Sequence, residues 1–295
     1  MKILTMLAVV LFAPLATSTQ HSGEHLCNLI APENEIYIPR GLKSAGGINE
    51  AEFNKVIDET EELYTEFIKE QYGGTLQIER KWDDGTVNAY AQRLGKVYKV
   101  SMFGGLARHP EATSDGFRAV LCHEIGHHIG GAPKRTSWWG GAMWASNEGQ
   151  SDYYATSKCL KKYFETDLQE TVKRYNKAST KEQLFAKAEC DKIFNNVDEA
   201  AMCYRASEAG KSLARLLGSL RNNADVKYDT PDPAVVSSTD HNHPKAQCRL
   251  DTYFQGALCD KDYTLLPSAT DATTGYCVRK DNYYTGVRPL CWYKP

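Results

Sequence analysis

SDGFRAVLCHEIGHHIG, residues 114–130, places Phe117, Val120, Leu121 and Ile125 at helical spacing. That recurrence predicts a helix over 114–129 with one apolar face. His123-Glu124-Ile125-Gly126-His127 lies inside it and reads HExxH. Histidines four apart on a helix project from one face about one turn apart, so both imidazoles can bind one metal ion; Glu124 stands close enough to reach a metal-bound water. His128 points about 100° away from His127 around the helix, as a helix-surface or supporting residue rather than a ligand.

A third ligand follows downstream. An HExxHxxGxxH pattern would need a ligand at 133, which is Pro133. The next helix offers Asn147-Glu148-Gly149-Gln150-Ser151-Asp152, with Glu148 and Asp152 four apart on one face. Glu148 is the expected third ligand. Asp152 is expected to accept the Nδ1 proton of a ligand histidine, His123, fixing its tautomer and raising its basicity.

On the N-terminal side, Phe53, Val56, Ile57, Leu63, Tyr64, Phe67 and Ile68 predict a helix over 49–72, opened by an Asn49/Glu52 capping box and closed at Gly73-Gly74. Leu76, Ile78 and Trp82 alternate with polar residues, Asp84-Gly85 turns the chain, and 87–103 reads as one or two further strands. The strand around Tyr98 to Phe103 either pairs with an extended substrate or is an ordinary buried strand. Residues 130–145 read as a Gly- and Trp-rich loop. Trp138, Trp139 and Trp144 form there either a local apolar cluster or a surface meeting substrate, unfolded protein or, peripherally, a membrane. A helix is expected over 146–164, charged helical pieces over 165–225, and a further helix from His243-Pro244 to about Gln255.

The chain has 295 residues, 35 Lys+Arg against 37 Asp+Glu, and 42% hydrophobic residues. This is globular composition, and a net charge of −2 lacks the basic face that nucleic-acid binding uses, so no nucleic-acid partner is expected. Met1-Lys2, the apolar run Ile3–Leu15 and Ala16-Thr17-Ser18 read as a signal peptide over 1–18, the run being too short for a transmembrane span. No later stretch is long enough to span a membrane. Nine cysteines without a CxxC pair predict an exported, disulfide-bonded protein, periplasmic or secreted, with one thiol left over. Cys190 with Cys203 and Cys277 with Cys291 are the local pairings to expect. Cys122 reads as buried packing or a disulfide half.

Four segments together resemble the HtpX-like family of gluzincin metallopeptidases, with the Oma-type enzymes and the CAAX prenyl proteases. Val87-Asn88-Ala89-Tyr90 is similar to the family's NAF element, 101–130 to its strand, turn and HExxH helix, 147–152 to its third-ligand helix, and His243-Pro244-Lys245-Ala246-Gln247-Cys248-Arg249 to its HPx4R motif. The resemblance covers roughly 50–255. It implies an α+β, zincin-like fold, mainly helical with a small mixed sheet and a disulfide-stapled C-terminal tail. It further implies one zinc ion on His123, His127 and Glu148, Glu124 as catalytic base, and His243 with Arg249 near the developing oxyanion. The organisation expected is a signal peptide (1–18), an irregular lead-in (19–48), a zinc metallopeptidase domain (49–255) and a Cys-rich cap (256–295). The substrate expected is a peptide or unfolded protein. A zinc-dependent cell-wall amidase and a non-catalytic, zinc-stabilised binding protein are the alternatives. His241 stands so near His243 that either can be the active one.

Overall fold

Asn49 begins the first long helix as its sequence dictates: its side chain accepts from Glu52 N at 2.9 Å, and Glu52 returns to Asn49 N at 3.1 Å. The computed structural model describes residues 27–29, 36–41, 46–137, 140–221 and 225–295. The signal-peptide segment and Trp138-Trp139 lie outside the described residues. Helix α1 (Glu50–Tyr72) ends at Gly73, whose φ of 63° is the left-handed conformation that glycine adopts without strain. It buries Phe53, Val56, Ile57, Tyr64 and Ile68, each apolar side chain contributing about 1.5–3 kcal/mol when fully withdrawn from water.

A four-stranded mixed sheet follows, made of β1 (Cys27–Asn28), β2 (Thr75–Lys81), β3 (Ala89–Leu94) and β4 (Val97–Phe103) in the order β1-β3-β4-β2. Residues 87–103 therefore supply two strands, joined at Gly95-Lys96, where Gly95 takes a φ of 58° in the two-residue turn. β4 is central, parallel to β2 on one side and antiparallel to β3 on the other. Both its edges are paired, so Tyr98–Phe103 cannot receive a substrate strand; it is an ordinary interior strand. The lead-in is not wholly irregular, because it supplies β1.

After the short helix α2 (Gly104–Ala107) comes α3 (Ser114–Ile129), N-capped by Thr113. All of α3 after Ser114 is buried. It is a central helix enclosed by β3 and β4, by α1, and by the helices that follow, rather than an amphipathic one with a single covered face. Residues 130–145 are not simply a loop: β5 (Lys134–Thr136) and β6 (Ala142–Ser146) pair there as an antiparallel ribbon.

The third helix runs as α4 (Glu148–Tyr154), a π turn (Ala155–Cys159) and α5 (Leu160–Glu165). α6 (Leu168–Asn176), α7 (Lys181–Ile193), α8 (Val197–Ser219) and α9 (Ala246–Leu258) complete the helical layer, with a 3-10 turn at Arg279–Asp281. The fold is α+β. Among the described residues no helix is long and apolar enough to cross a membrane.

Four disulfides fasten these elements: Cys122–Cys159, Cys190–Cys203, Cys248–Cys291 and Cys259–Cys277. The Cys190–Cys203 expectation holds, and Cys277–Cys291 is corrected. The tail folds back so that Cys291 reaches α9, held by Val236 N to Leu290 O at 3.0 Å and Asp240 N to Trp292 O at 2.8 Å. Cys27 is the unpaired thiol and is buried.

Candidate metal centre

Helix α3 delivers His123 and His127 one turn apart, their ring centroids 4.6 Å from one another and nearly perpendicular. Glu148 opens α4 directly after Asn147, whose side chain caps the helix by accepting from Gln150 N at 2.9 Å. An acidic residue in the first turn also suits the positive end of the helix dipole. The Cys122–Cys159 bridge joins α3 to the π turn that continues α4. Closing that loop stabilises the fold by about 4 kcal/mol on the chain-entropy scale.

The two ligand histidines are oriented from behind. His123 Nδ1 lies 2.7 Å from Asp152 Oδ1, and His127 Nδ1 lies 2.8 Å from the Ser146 carbonyl. A carboxylate and a carbonyl can only accept, so each Nδ1 carries the proton and each Nε2 lone pair is left facing forward. His123 Nε2 is 3.3 Å and His127 Nε2 3.7 Å from Glu148 Oε2.

One ligand atom from each of His123, His127 and Glu148 can be chosen with all three within 4.8 Å of one another. Both Nε2 atoms, both Glu148 oxygens and both Glu124 oxygens are buried without a hydrogen-bond partner. Native interiors rarely leave so many polar atoms unsatisfied in one place. A cation between them satisfies the ligand atoms, so the cluster can hold a metal ion.

Without a cation, burial and the neighbouring charges pull the groups of the cluster in different directions. Burial pushes the Glu124 carboxyl up to about 8, with His123 opposing and Glu148 adding to the shift. Burial takes His127 down to about 3, which keeps it as the neutral, ligating imidazole. Burial also disfavours charge on His123, but Asp152 outweighs it and raises the group to about 9. Glu148 is held well below the usual carboxylate range by His127, His243 and His123, against the effect of its own burial.

The HPx4R segment divides. His243 Nε2 stands 3.4 Å from Glu148 Oε2, at the mouth of the cluster, and is the most exposed residue of the group, with 18% of its side chain accessible. His241 instead lies beside the cap of α4, its Nδ1 3.4 Å from Asn147 Nδ2. The structure thus separates the two histidines that sequence left open.

Arg249 is a correction. It does not face the space before the ligands; its guanidinium donates to Asp152 Oδ2 at 2.8 Å and Oδ1 at 2.7 Å, to the Leu29 carbonyl at 3.2 Å and to Tyr253 Oη at 3.2 Å. It is buried behind His123, and its charge is spent on Asp152, so it positions the ligand rather than an oxyanion.

For His128 the helix-surface alternative is corrected and the supporting one fits. It is buried, stacked on Trp144 at 4.9 Å and tilted against Tyr98 at 5.1 Å, with Nε2 3.1 Å from the Lys99 carbonyl. Trp144 accordingly packs locally over α3. Three contributors carry little sequence signal. The Ser146 carbonyl has none in its side chain. Ser151 Oγ, 3.0 Å from His127 Nδ1, sits one helical turn after Glu148 and could have been found by that spacing. Arg135, with NH1 3.9 Å from Glu148 Oε1, comes from the ribbon that reads as a loop.

The tail buttresses the third ligand. Trp292 has no exposed surface and lies against Gly149, where a Cβ would come within 2.3 Å of its ring. Arg288 Nε donates to Gln150 Oε1 at 2.6 Å, and Gln150 Nε2 and Tyr276 Oη both donate to the Gly130 carbonyl at 2.7 Å. Comparison with protein-family models, with curated proteins and with solved structures finds no match to this chain.

Proposed function

We propose that the chain is an exported, zinc-dependent endopeptidase acting on peptides or unfolded proteins, periplasmic or secreted, and a divergent relative of the HtpX-like gluzincins. The observation that carries this reading is Glu124, a fully buried carboxylate with neither oxygen partnered, beside a three-residue ligand set. Two imidazoles and one carboxylate form the donor set of catalytic zinc sites, which keep a fourth position open; structural zinc sites are closed by four protein ligands and have no use for an adjacent base. Four disulfides suit an oxidising compartment.

Bound zinc would supply Lewis acidity, lowering the pKa of water toward about 7 and polarising a carbonyl. His123, His127 and Glu148 would hold it. Glu124 takes the proton from the attacking water and passes it to the leaving amine. His243, at the mouth, donates to the oxygen that gains charge as the carbonyl becomes tetrahedral. Asp152 and Arg249 fix the imidazole of His123 throughout.

The test is metal analysis of the purified chain, then mass-spectrometric mapping of cuts in a mixture of unfolded proteins beside Glu124→Gln. Cuts made by the wild type and absent with a folded, zinc-bearing variant are expected. A folded, zinc-loaded wild type that makes no cuts overturns the proposal.

A further inference from the structure

His123, Glu124 and His127 have no exposed surface, and Glu148 is 1% exposed. A centre that cuts peptides must admit an extended backbone, yet here a piece of the chain's own backbone is already paired to a strand beside it. β1 pairs antiparallel with β3, Cys27 opposite Ala91 and Asn28 opposite Tyr90, and Leu29 N continues the ladder to the Ala89 carbonyl at 3.1 Å. The other edge of β3 is taken by β4. β1 therefore occupies the edge that an added strand would use, beside the HExxH helix, where Arg93 Nε of β3 donates to His128 Nδ1 at 3.2 Å.

The two ends of this segment contact residues that surround the ligand cluster. The Cys27 sulfur accepts from Arg135 NH1 at 3.4 Å, and the same nitrogen is 3.9 Å from Glu148 Oε1. Cys27 packs with Ala91 and Ala145. Two residues on, the Leu29 carbonyl accepts from Arg249 NH1 at 3.2 Å, and the residue lines a small cavity of 30 Å³ with His243, Pro244 and Leu217.

We infer that residues 27–29 are an inhibitory strand, an extended segment bound beside the ligand cluster along the edge of β3 that β4 leaves open, the edge an extended peptide substrate would use. The inference rests on the endopeptidase reading, since it names the state in which that site is shut. Among the described residues, two register pairs join β1 to β3 and six join β3 to β4. Main-chain pairing with β3 gives affinity without demanding a sequence, so the strand and a substrate compete for the same donors and acceptors.

Ala91→Cys tests this, because Ala91 lies directly opposite Cys27 in the full chain. Oxidation should cross-link the two and lock the strand. The zinc-loaded, cross-linked protein is expected to cut a denatured protein at least tenfold more slowly than after its cross-link is reduced. It should also release zinc to excess 4-(2-pyridylazo)resorcinol at least tenfold more slowly. Ala91→Ser, carried through the same oxidation and reduction, accounts for effects on the native disulfides. Leu29→Asp, which opposes docking of a buried side chain, should speed both processes. Failure of the two thiols to cross-link, or a locked protein that releases zinc as fast as the reduced one, overturns the inference. The chelator rates decide it even if no variant cuts protein, an outcome that would remove the endopeptidase reading alone.

Discussion

Asp152 Oδ1 lies 2.7 Å from His123 Nδ1, and the same carboxylate receives two donors from Arg249. Metal face, carboxylate and guanidinium thus form one buried line from α3 through α4 to α9. The carboxylate stays ionised because Arg249 and His123 outweigh the desolvation of a fully buried group. An ionised Asp152 keeps the proton on Nδ1 and the lone pair on Nε2.

Asp152→Asn should therefore weaken metal binding by about 10–100-fold, the usual effect of losing the partner behind a ligand histidine. Competition for zinc against a chromophoric chelator measures it. The variant also leaves Arg249 buried without its counter-ion, which costs about 3–5 kcal/mol of stability. Unchanged affinity in a folded Asp152→Asn protein would mean that His123 is not oriented through this contact.

For Glu124→Gln, zinc content and fold should be retained while kcat falls by about 10²–10⁴, the range for losing a general base. The amide keeps the shape of the side chain but cannot take a proton. Circular dichroism and metal analysis beside the peptidase assay separate this from a folding defect.

His243→Ala should lower kcat roughly a hundredfold or more, as for the loss of one oxyanion donor worth ~3 kcal/mol, with zinc affinity changed far less than in Asp152→Asn. The contrast follows from position: His243 stands before the ligands, whereas Asp152 stands behind them. Comparable loss of zinc in both variants would make His243 a ligand.

How much of this was legible in the chain follows from which signals are local. The capping box at Asn49, the HExxH helix and the pairing of Glu148 with Asp152 rest on spacings of three or four residues, and these elements form as expected. The full burial of α3 was not legible, because Gly116, Gly126 and the histidines dilute the apolar count while neighbouring elements cover every face. Arg249 lies behind His123, not beside the oxyanion as the HPx4R resemblance implies, because a motif's position in the sequence does not give the partner its side chain meets. The edge pairing of β1 and the Cys248–Cys291 and Cys259–Cys277 bridges depend on contacts between distant segments, for which no periodicity exists.

Gly149→Ala probes how the tail supports the third ligand. The new methyl would meet the buried ring of Trp292 at 2.3 Å, and neither side has open space to move into. Overpacking of this kind costs about 1–3 kcal/mol. Because Glu148 is the adjacent residue, zinc affinity should fall along with Tm. Trp292→Leu, which removes the opposing ring atoms, should restore part of both in the double variant. Additive losses instead of rescue would show that the two residues are not in contact.

One contribution to the pH dependence of stability should come from Asp115, which opens α3 and accepts from Arg118 at 2.8 Å, from Arg174 at 3.0 Å and from Arg205 at 2.8 and 3.0 Å. Burial alone would raise its pKa, but the hydrogen bonds and charges of Arg205, with Arg118 and Arg174, lower it below the ordinary 3.8. The unfolded chain then binds the proton more readily, so stability rises with pH through the acid range. The contribution is complete above about pH 4 and is lost as pH falls through the folded-state value. Asp115→Asn takes from Arg205 its closest counter-ion, leaving Asp167 at 3.6 Å, while Arg118 keeps Glu59, and should cost about 3 kcal/mol at neutral pH. Urea unfolding of wild type and variant from pH 7 down to pH 2.5 should show this difference constant above about pH 4 and shrinking below it. A difference that stays level to pH 2.5 would show that Asp115 is not ionised in the folded protein.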